Sequence, residues 1–184
     1  MDQSSLAGKW IGLLRDVAPQ VQRVALVWDP NSAPDQLEAA KAVASTLKID
    51  ALTLEVRKPE EFERAFETLG NERRTGLVLL SSPTLIAPPR TRFGGAALKY
   101  RLPSIAFLKS VAEAGALISY GPNVQAYYPR AVILADKILK GEKPSDLPIE
   151  RPDKFELVIN ARTAMTRGLT IPAHLLTLAD EVLE

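Results

Sequence analysis

The sequence predicts an α/β fold: a doubly wound, parallel five-stranded sheet with helices on both faces. Short apolar runs alternate with amphipathic stretches between about residues 23 and 119, which gives five strand-then-helix units. Runs such as RVALVW at 23–28 are continuously apolar after the first residue and rich in β-branched residues, which is typical of strands buried on both faces. Because crossovers between parallel strands are right-handed, these units predict a doubly wound sheet.

Hydrophobic periodicity gives the elements in order. A helix is expected from Leu6 to Val17, and Pro19 ends it. The five strands are expected at 23–28, 49–56, 76–80, 103–107 and 116–119, with helices between them. After Pro122 we expect a long helix that buries its apolar residues from Tyr128 to Leu139. A sixth strand at 155–160, a short helix at 161–168 and a terminal helix at 175–183 complete the prediction.

Composition excludes several classes of function. The 184 residues have a formal net charge of +1, no cysteine and the single histidine His174. Such a charge argues against a nucleic-acid partner, and one histidine argues against most zinc sites, so neither a metal nor another cofactor is expected. No apolar run is long enough for a membrane span. The N-terminal residues lack the pattern of a signal peptide, so they predict a cytoplasmic location if this is the full chain.

Motifs for catalysis are missing from the sequence. It contains no G-x-G-x-x-G, no G-K-[ST] and no G-x-S-x-G. His174 lies in the terminal segment, away from the serines at the strand ends, and Asp29 lacks the acidic pair that a receiver domain carries after its first strand. We therefore expect a protein that is not an enzyme.

Polar and aromatic side chains collect at the predicted carboxyl edge of the sheet, where open α/β sheets bind ligands. Four loops meet there, at 29–32, 81–85, 107–110 and 119–123. Hydroxyls, an amide and aromatic rings in these loops suit non-covalent capture of a small organic molecule. Each polar residue taken alone is explained equally well by the ordinary preference of Ser, Asn and Pro for turns. Tyr120 can be a structural residue or a ligand contact.

Several segments resemble tryptophan-type ABC transporter solute-binding proteins. They are LAGKWIGLLR at 6–15, RVALVWDPN at 23–31, YRLPSIA at 100–106, EAGALISYGPN at 113–123, ADKILKGEKPSDLPIE at 135–150, KFELVIN at 154–160 and GLTIP at 168–172. These segments keep chain order and extend over nearly the whole sequence.

The resemblance implies a type I periplasmic-binding fold, in which two α/β lobes close on a ligand. Residues 1–20 then form a helix from the hinge or first-lobe side, 21–121 a complete ligand-binding lobe, and 122–184 the C-terminal portion of the other lobe, whose first part has no counterpart. The implied ligand contacts are Ser82, Thr84, Phe107, Ser110, Tyr120 and Asn123.

Two functions stay open at this point. The resemblance implies a periplasmic component of an ABC importer that binds an amino-acid-like or aromatic solute and works with a permease. The alternative is a cytoplasmic ligand-sensing domain of a regulator with the same fold. Because part of the first lobe has no counterpart, apolar surface on the C-terminal elements would remain exposed to water, which is unfavourable. We therefore expect a homo-oligomer that forms through these elements. The alternative to self-association is that residues 122–184 fold back onto the lobe formed by 21–121.

Overall fold

A computed structural model of the chain describes residues 3–32, 34–69, 74–86, 91–149 and 154–184. The helices are α1 (Gln3–Val17), α2 (Pro34–Thr46), α3 (Phe62–Glu67), α4 (Pro83–Ile86), α5 (Thr91–Lys99), α6 (Lys109–Glu113), α7 (Tyr127–Leu139), α8 (Ala161–Thr166) and α9 (Ala173–Leu178). The strands are β1 (Arg23–Trp28), β2 (Asp50–Glu55), β3 (Thr75–Leu79), β4 (Ser104–Ala106), β5 (Ile118–Pro122), β6 (Phe155–Asn160) and β7 (Glu181–Leu183).

The strands form one mostly parallel sheet in the order β2-β1-β3-β4-β5-β6-β7. The five strands expected from the sequence are all present and parallel to one another. β1 and β3 lie inside the sheet and are almost wholly buried, as their continuous apolar runs predict, whereas the edge strand β2 is partly exposed. The predicted α/β class is therefore confirmed.

The sheet has seven strands, two more than expected. β6 pairs antiparallel with β5 over five residue pairs, from Ile118 opposite Ile159 to Pro122 opposite Phe155. β7 then pairs with β6 at the position where the hydrophobic pattern predicts the end of a terminal helix. That helix ends at Leu178, because the chain turns out of helical geometry at Ala179 and so brings 181–183 alongside β6. Residues 155–160 and 181–183 are therefore strands of this sheet.

Two apolar layers cover the sheet. One layer combines α1 and α2 with Ala164 and Leu175 from the C-terminal helices, and the other is centred on Phe62, Phe66 and Phe93. Helix α1 packs on α2, β3 and β4. Its apolar stripe is wide enough to bury Trp10 completely in the first layer.

Helix α7 is the exception to this burial. The helical spacing of its apolar residues predicts that they are buried, yet Tyr128, Val132 and Leu139 are 65%, 68% and 87% exposed. These three residues lie along one stripe of the helix. No element of the described chain covers that stripe, which is why the expected burial does not occur within this chain.

Helices that are long and apolar enough to cross a lipid bilayer are not found among the described residues.

We predict that Trp10→Ala lowers the free energy of unfolding by about 3–5 kcal/mol, because it opens a cavity in the first apolar layer. The substitution also removes the hydrogen bond that Trp10 Nε1 donates to the carbonyl oxygen of Tyr120, 2.8 Å long. Urea denaturation measures the change. Met165→Ala, at a position that is 79% exposed, is the control and should stay within about 0.5 kcal/mol of wild type. A loss below about 1 kcal/mol for Trp10→Ala would contradict this packing.

Candidate functional site

A groove of about 730 Å³ opens at the carboxyl edge of the parallel strands. It lies between the ends of β3, β4 and β5, the first turn of α6, the start of α7, and strands β6 and β7. Its lining is Ser81, Ser82, Phe107, Leu108, Lys109, Ser110, Glu113, Ser119, Gly121, Pro122, Asn123, Val124, Gln125, Tyr128, Glu156, Val158 and Glu181. Parallel strands present their carboxyl ends on one side, so the groove occupies the expected ligand position.

The β3 side of the groove is fixed by Asp29 at the end of β1. Asp29 is 1% exposed, and its carboxylate accepts a 2.7 Å hydrogen bond from Ser82 Oγ and a 2.9 Å bond from the backbone N–H of Asn31. Ser82 Oγ in turn accepts a 3.1 Å bond from the Leu85 N–H. The Ser82 donor is thus used within the protein, which makes Ser82 chiefly a residue that holds the loop.

Burial of Asp29 favours its neutral form, but hydrogen bonds outweigh that effect. The backbone N–H of Asn31 and the side chains of Ser82, Asn31 and Thr84 favour the charged form, so the pKa of Asp29 is lowered from its ordinary value of 3.8. Asp29 is therefore a charged structural anchor at neutral pH.

The neighbouring Ser81 is held from the α2 side. Its N–H donates to Gln36 Oε1 over 2.6 Å, and its carbonyl accepts from Ser32 Oγ over 2.9 Å. Gln36 is buried, so the loops after β1 and β3 form one hydrogen-bonded unit. This part of the groove wall is therefore built before any ligand arrives.

A glycine lets two chain segments meet at the centre of the groove. A Cβ at Gly121 would lie 2.0 Å from the carbonyl oxygen of Phe107, far inside van der Waals contact. Any side chain there would push the loop after β4 off β5. Gly121 thus sets the position of Phe107, whose ring packs edge-on against Trp10 with the ring centroids 6.3 Å apart.

Asn123 joins the end of β5 to β6 and caps the turn before α7. Its Oδ1 accepts from the Ala126 N–H over 3.1 Å, and its Nδ2 donates to Glu156 Oε1 over 2.6 Å. Asn and Asp favour such turn positions because their side chains imitate a backbone acceptor. One Glu156 oxygen is left to face the groove.

Lys109 crosses the groove from α6 to β7. Its ammonium lies 2.5 Å from Glu181 Oε2 and 3.8 Å from Glu113 Oε1. The hydrogen bond to Glu181, helped by the negative field of Glu181, Glu113 and Glu156, raises the pKa of Lys109 despite some desolvation. Lys109 therefore stays charged at neutral pH.

Four of the six predicted site residues line the groove: Ser82, Phe107, Ser110 and Asn123. Thr84 is exposed and does not line it, and instead contributes a hydrogen bond to Asp29. Tyr120 alternates with Ser119 and Gly121 along β5, so its side chain lies on the opposite face of the sheet. There its ring stacks on Phe155 with the centroids 5.7 Å apart.

Sequence reasoning missed the charged part of the groove. Glu156 lies there because β6 pairs antiparallel with β5, and Glu181 because residues 181–183 form a strand. Neither pairing has a local sequence signal. Lys109 and Glu113 were detectable in principle, since they lie in or beside the expected loop at 107–110 on one short helix.

In the part of the chain that the structure describes, no three metal-ligating side chains come together. With one ammonium, three carboxylates, hydroxyls and an amide, the groove is suited to hydrogen-bonding and charge recognition of a small molecule.

We predict that Asp29→Asn lowers the free energy of unfolding at pH 7 by about 1–3 kcal/mol, because an amide cannot accept all the bonds made to the carboxylate. The folded-state pKa of Asp29 is lowered, so its stabilisation is present above the ordinary value and is lost as pH falls through the folded value. The difference between wild type and variant should therefore shrink between about pH 5 and pH 2.

Urea denaturation across this pH range measures the effect, with Asp136→Asn as the control. Asp136 pairs with Lys140 on the exposed surface of α7, so its loss should change stability by less than about 0.5 kcal/mol. A wild-type-to-Asp29→Asn difference that does not vary with pH would show that the Asp29 charge is not held by these hydrogen bonds.

Solved structures with the same architecture include several binding proteins. A conserved domain protein from Vibrio cholerae O1 biovar El Tor has a TM-score of 0.84 and 23% identity, over 96% of this chain and 60% of that one. An ABC domain from Streptococcus pneumoniae in complex with L-Trp has a TM-score of 0.84 and 21% identity, with 96% and 60% coverage. A ligand-free, open substrate-binding protein with adhesive properties from Clostridium difficile has a TM-score of 0.68 and 22% identity, over 95% of this chain and 59% of that one.

These likenesses, each below 25% identity, show a common fold, and the chain spans about 60% of the length of these structures. No protein among the curated sequences matches the chain. The family model described as ABC transporter substrate binding protein matches residues 1–183. The chain therefore belongs to the ABC transporter substrate binding protein family.

Proposed function

We propose that this chain binds a small organic solute, amino-acid-like or aromatic, without chemical change, as a substrate-binding component of an ABC importer. The observation that supports this most directly is the groove at the carboxyl edge of the sheet. Its wall combines the Phe107 and Tyr128 rings with polar groups from several strands. A few oriented polar groups beside aromatic surface are what a site for a small organic ligand requires.

The groove wall is rigid enough to recognise a ligand by shape. Hydrogen bonds from Ser82 to Asp29, from Ser81 to Gln36 and from Asn123 to Glu156 hold it, and none of them needs a ligand. Pre-organisation of this kind lowers the entropy cost of binding. The proposed direct contacts are Phe107, Ser110 and Asn123. Ser82 is proposed to hold the loop after β3 through its bond to Asp29, and Thr84 and Tyr120 are proposed to have only structural roles.

We further propose that the solute-loaded protein delivers its ligand to a membrane permease and works in the periplasm. Membership in a family of ABC transporter substrate-binding proteins supports both statements. The Streptococcus pneumoniae ABC domain of similar fold carries L-Trp, which supports an aromatic amino acid as the first candidate solute for this chain.

We predict that a panel of aromatic amino acids, small aromatic acids and sugars contains at least one compound that binds, and that Ser110→Trp abolishes its binding. Ser110 is half-buried in the groove lining at the start of α6, so a large ring there fills the groove without entering the apolar core. Isothermal titration calorimetry on the 184-residue chain measures the affinities.

Ser145→Trp, in an exposed turn after α7, is the matched control and should bind as wild type does. If Ser110→Trp binds the same compound with unchanged affinity, the groove is not the site. If no compound of the panel binds the wild-type chain, a solute-binding function for this chain is wrong.

The stripe of α7 supports a second proposal, self-association of this chain. Tyr128, Val132 and Leu139 present contiguous apolar side chains to solvent, and covering such area is worth about 25 cal/mol per Å². An isologous pair of α7 helices would cover both stripes at once. β6 is paired on both sides, so the contact is expected through α7 rather than through an exchanged strand.

We predict a dimer of the 184-residue chain at micromolar concentration and a monomer for Val132→Glu/Leu139→Glu, because two charges in the contact would have to be desolvated. Light scattering coupled to gel filtration gives the mass. Leu178→Glu is the control, since Leu178 is 61% exposed on α9, and it should remain dimeric. A monomeric wild-type chain would contradict self-association.

A further inference from the structure

Helix α7 needs a partner surface to be stable. None of its 13 residues is buried, and isolated helices of about that length are marginal in water. Ala131 and Ala135 lie between the large residues of its stripe and are exposed too. The charged residues beside the stripe, Asp136 and Lys140, pair with each other over 2.7 Å. A partner can therefore cover the stripe without burying an unpaired charge.

The stripe matches a second copy of itself when the two α7 helices run antiparallel. Tyr128 of one copy then faces Leu139 of the other, because these residues stand at opposite ends of the stripe. In the middle, Val132 faces the small Ala135, so large side chains fit against small ones. A parallel pair would set Tyr128 against Tyr128 and leave a gap between facing alanines. Opposed helix dipoles favour the antiparallel pair as well.

The contact has to extend beyond the stripe. A stable interface buries about 800 Å² on each partner, from about 20–30 residues, and one side of a 13-residue helix falls short of that. At the N-terminal end of α7 the groove continues the stripe, because Tyr128 belongs to both. Val124 and Gln125, about one turn earlier, also line the groove and are exposed. The stripe and the groove mouth are therefore one continuous surface.

We propose that a second copy of this chain docks antiparallel on α7 and forms one wall of the solute groove, with its Leu139 against Tyr128. The last turn of the second copy's α7 then lies beside the groove mouth. An isologous contact gives both copies the same wall, so one pair holds two completed sites. This inference rests on the proposed function, because it takes the groove to be the solute site.

Solute binding and pairing are linked in such an arrangement. A solute that contacts both copies binds the pair more tightly than it binds a single copy, and it strengthens pairing by the same factor. Val132 and Leu139 are not among the residues that line the groove of their own copy. A loss of solute affinity on changing these two residues therefore measures what the second copy contributes.

Disulfide cross-linking tests the arrangement, because the chain has no cysteine of its own. Chains with Tyr128→Cys are mixed with chains with Leu139→Cys and oxidised, and mass spectrometry identifies the linked pairs. We expect a disulfide between unlike chains. Two Tyr128→Cys chains should link no more than Ser145→Cys chains do, since an antiparallel pair holds the two residues 128 about 17 Å apart along the helix axis, beyond the reach of a disulfide. Preferential linking of two Tyr128→Cys chains, or no link between unlike chains, overturns the arrangement.

Calorimetry with a solute that binds the wild-type chain tests the completed site. Val132→Glu/Leu139→Glu should be monomeric and should bind that solute about tenfold or more weakly than wild type, a coupling of ordinary size between two sites. Leu178→Glu, exposed on α9, is the control and should keep the wild-type affinity. Sedimentation velocity should show that saturating solute tightens pairing of the wild-type chain. Circular dichroism checks that each variant is folded.

Different failures have different meanings. If the monomeric double variant binds the solute as tightly as wild type does, one copy holds a complete site, so the proposed function stands and this inference is wrong. A solute that leaves the pairing of the wild-type chain unchanged, or a wild-type chain that stays monomeric with solute bound, also overturns it. If no solute of any class binds, the proposed function fails, and the inference fails with it.

Discussion

The antiparallel pairing of β5 with β6 determines the composition of the groove. The chain leaves the sheet after Pro122, forms α7 and returns as β6 to the strand that it left. That return brings Glu156 opposite Gly121 and Val158 opposite Ser119, and it gives β7 a strand with which to pair. Without it the carboxyl edge of the sheet would carry hydroxyls and rings but lack the carboxylates of β6 and β7.

Strand β5 separates the binding surface from the apolar core. Successive residues of β5 alternate between the two faces of the sheet. Tyr120 packs with Phe155 on the α1 side, where its carbonyl also accepts from Trp10, whereas Ser119 and Gly121 face the groove. The large aromatic residue thus stabilises the sheet, and the two small residues leave room for a ligand.

The sequence was informative where structure follows from local pattern. The apolar runs predicted the five parallel strands, and the rule on carboxyl ends located the loops that contain Ser82, Phe107, Ser110 and Asn123. It failed where position depends on long-range pairing, as with β6, β7 and the face chosen by Tyr120. The helical spacing of the apolar residues in α7 predicts a buried helix, yet that spacing does not show which surface covers them.

Stability and recognition make different demands on the polar groups of this edge. Asp29, Ser82, Gln36 and Ser81 satisfy one another, as buried polar groups must, and so they contribute to the rigidity of the wall. Ser119 and Glu156 line the groove and take no part in these bonds.

Amide chemical-shift mapping by nuclear magnetic resonance tests most directly whether this edge of the sheet is the solute site. The chain is titrated with a solute that binds, and the shift of every backbone amide is followed. If the groove is the solute site, the largest changes will be at Ser110, Ser119, Asn123 and Glu156, with little change at the opposite edge around Arg23 and Asp50. Largest changes around Arg23 and Asp50, with the groove unaffected, would contradict it.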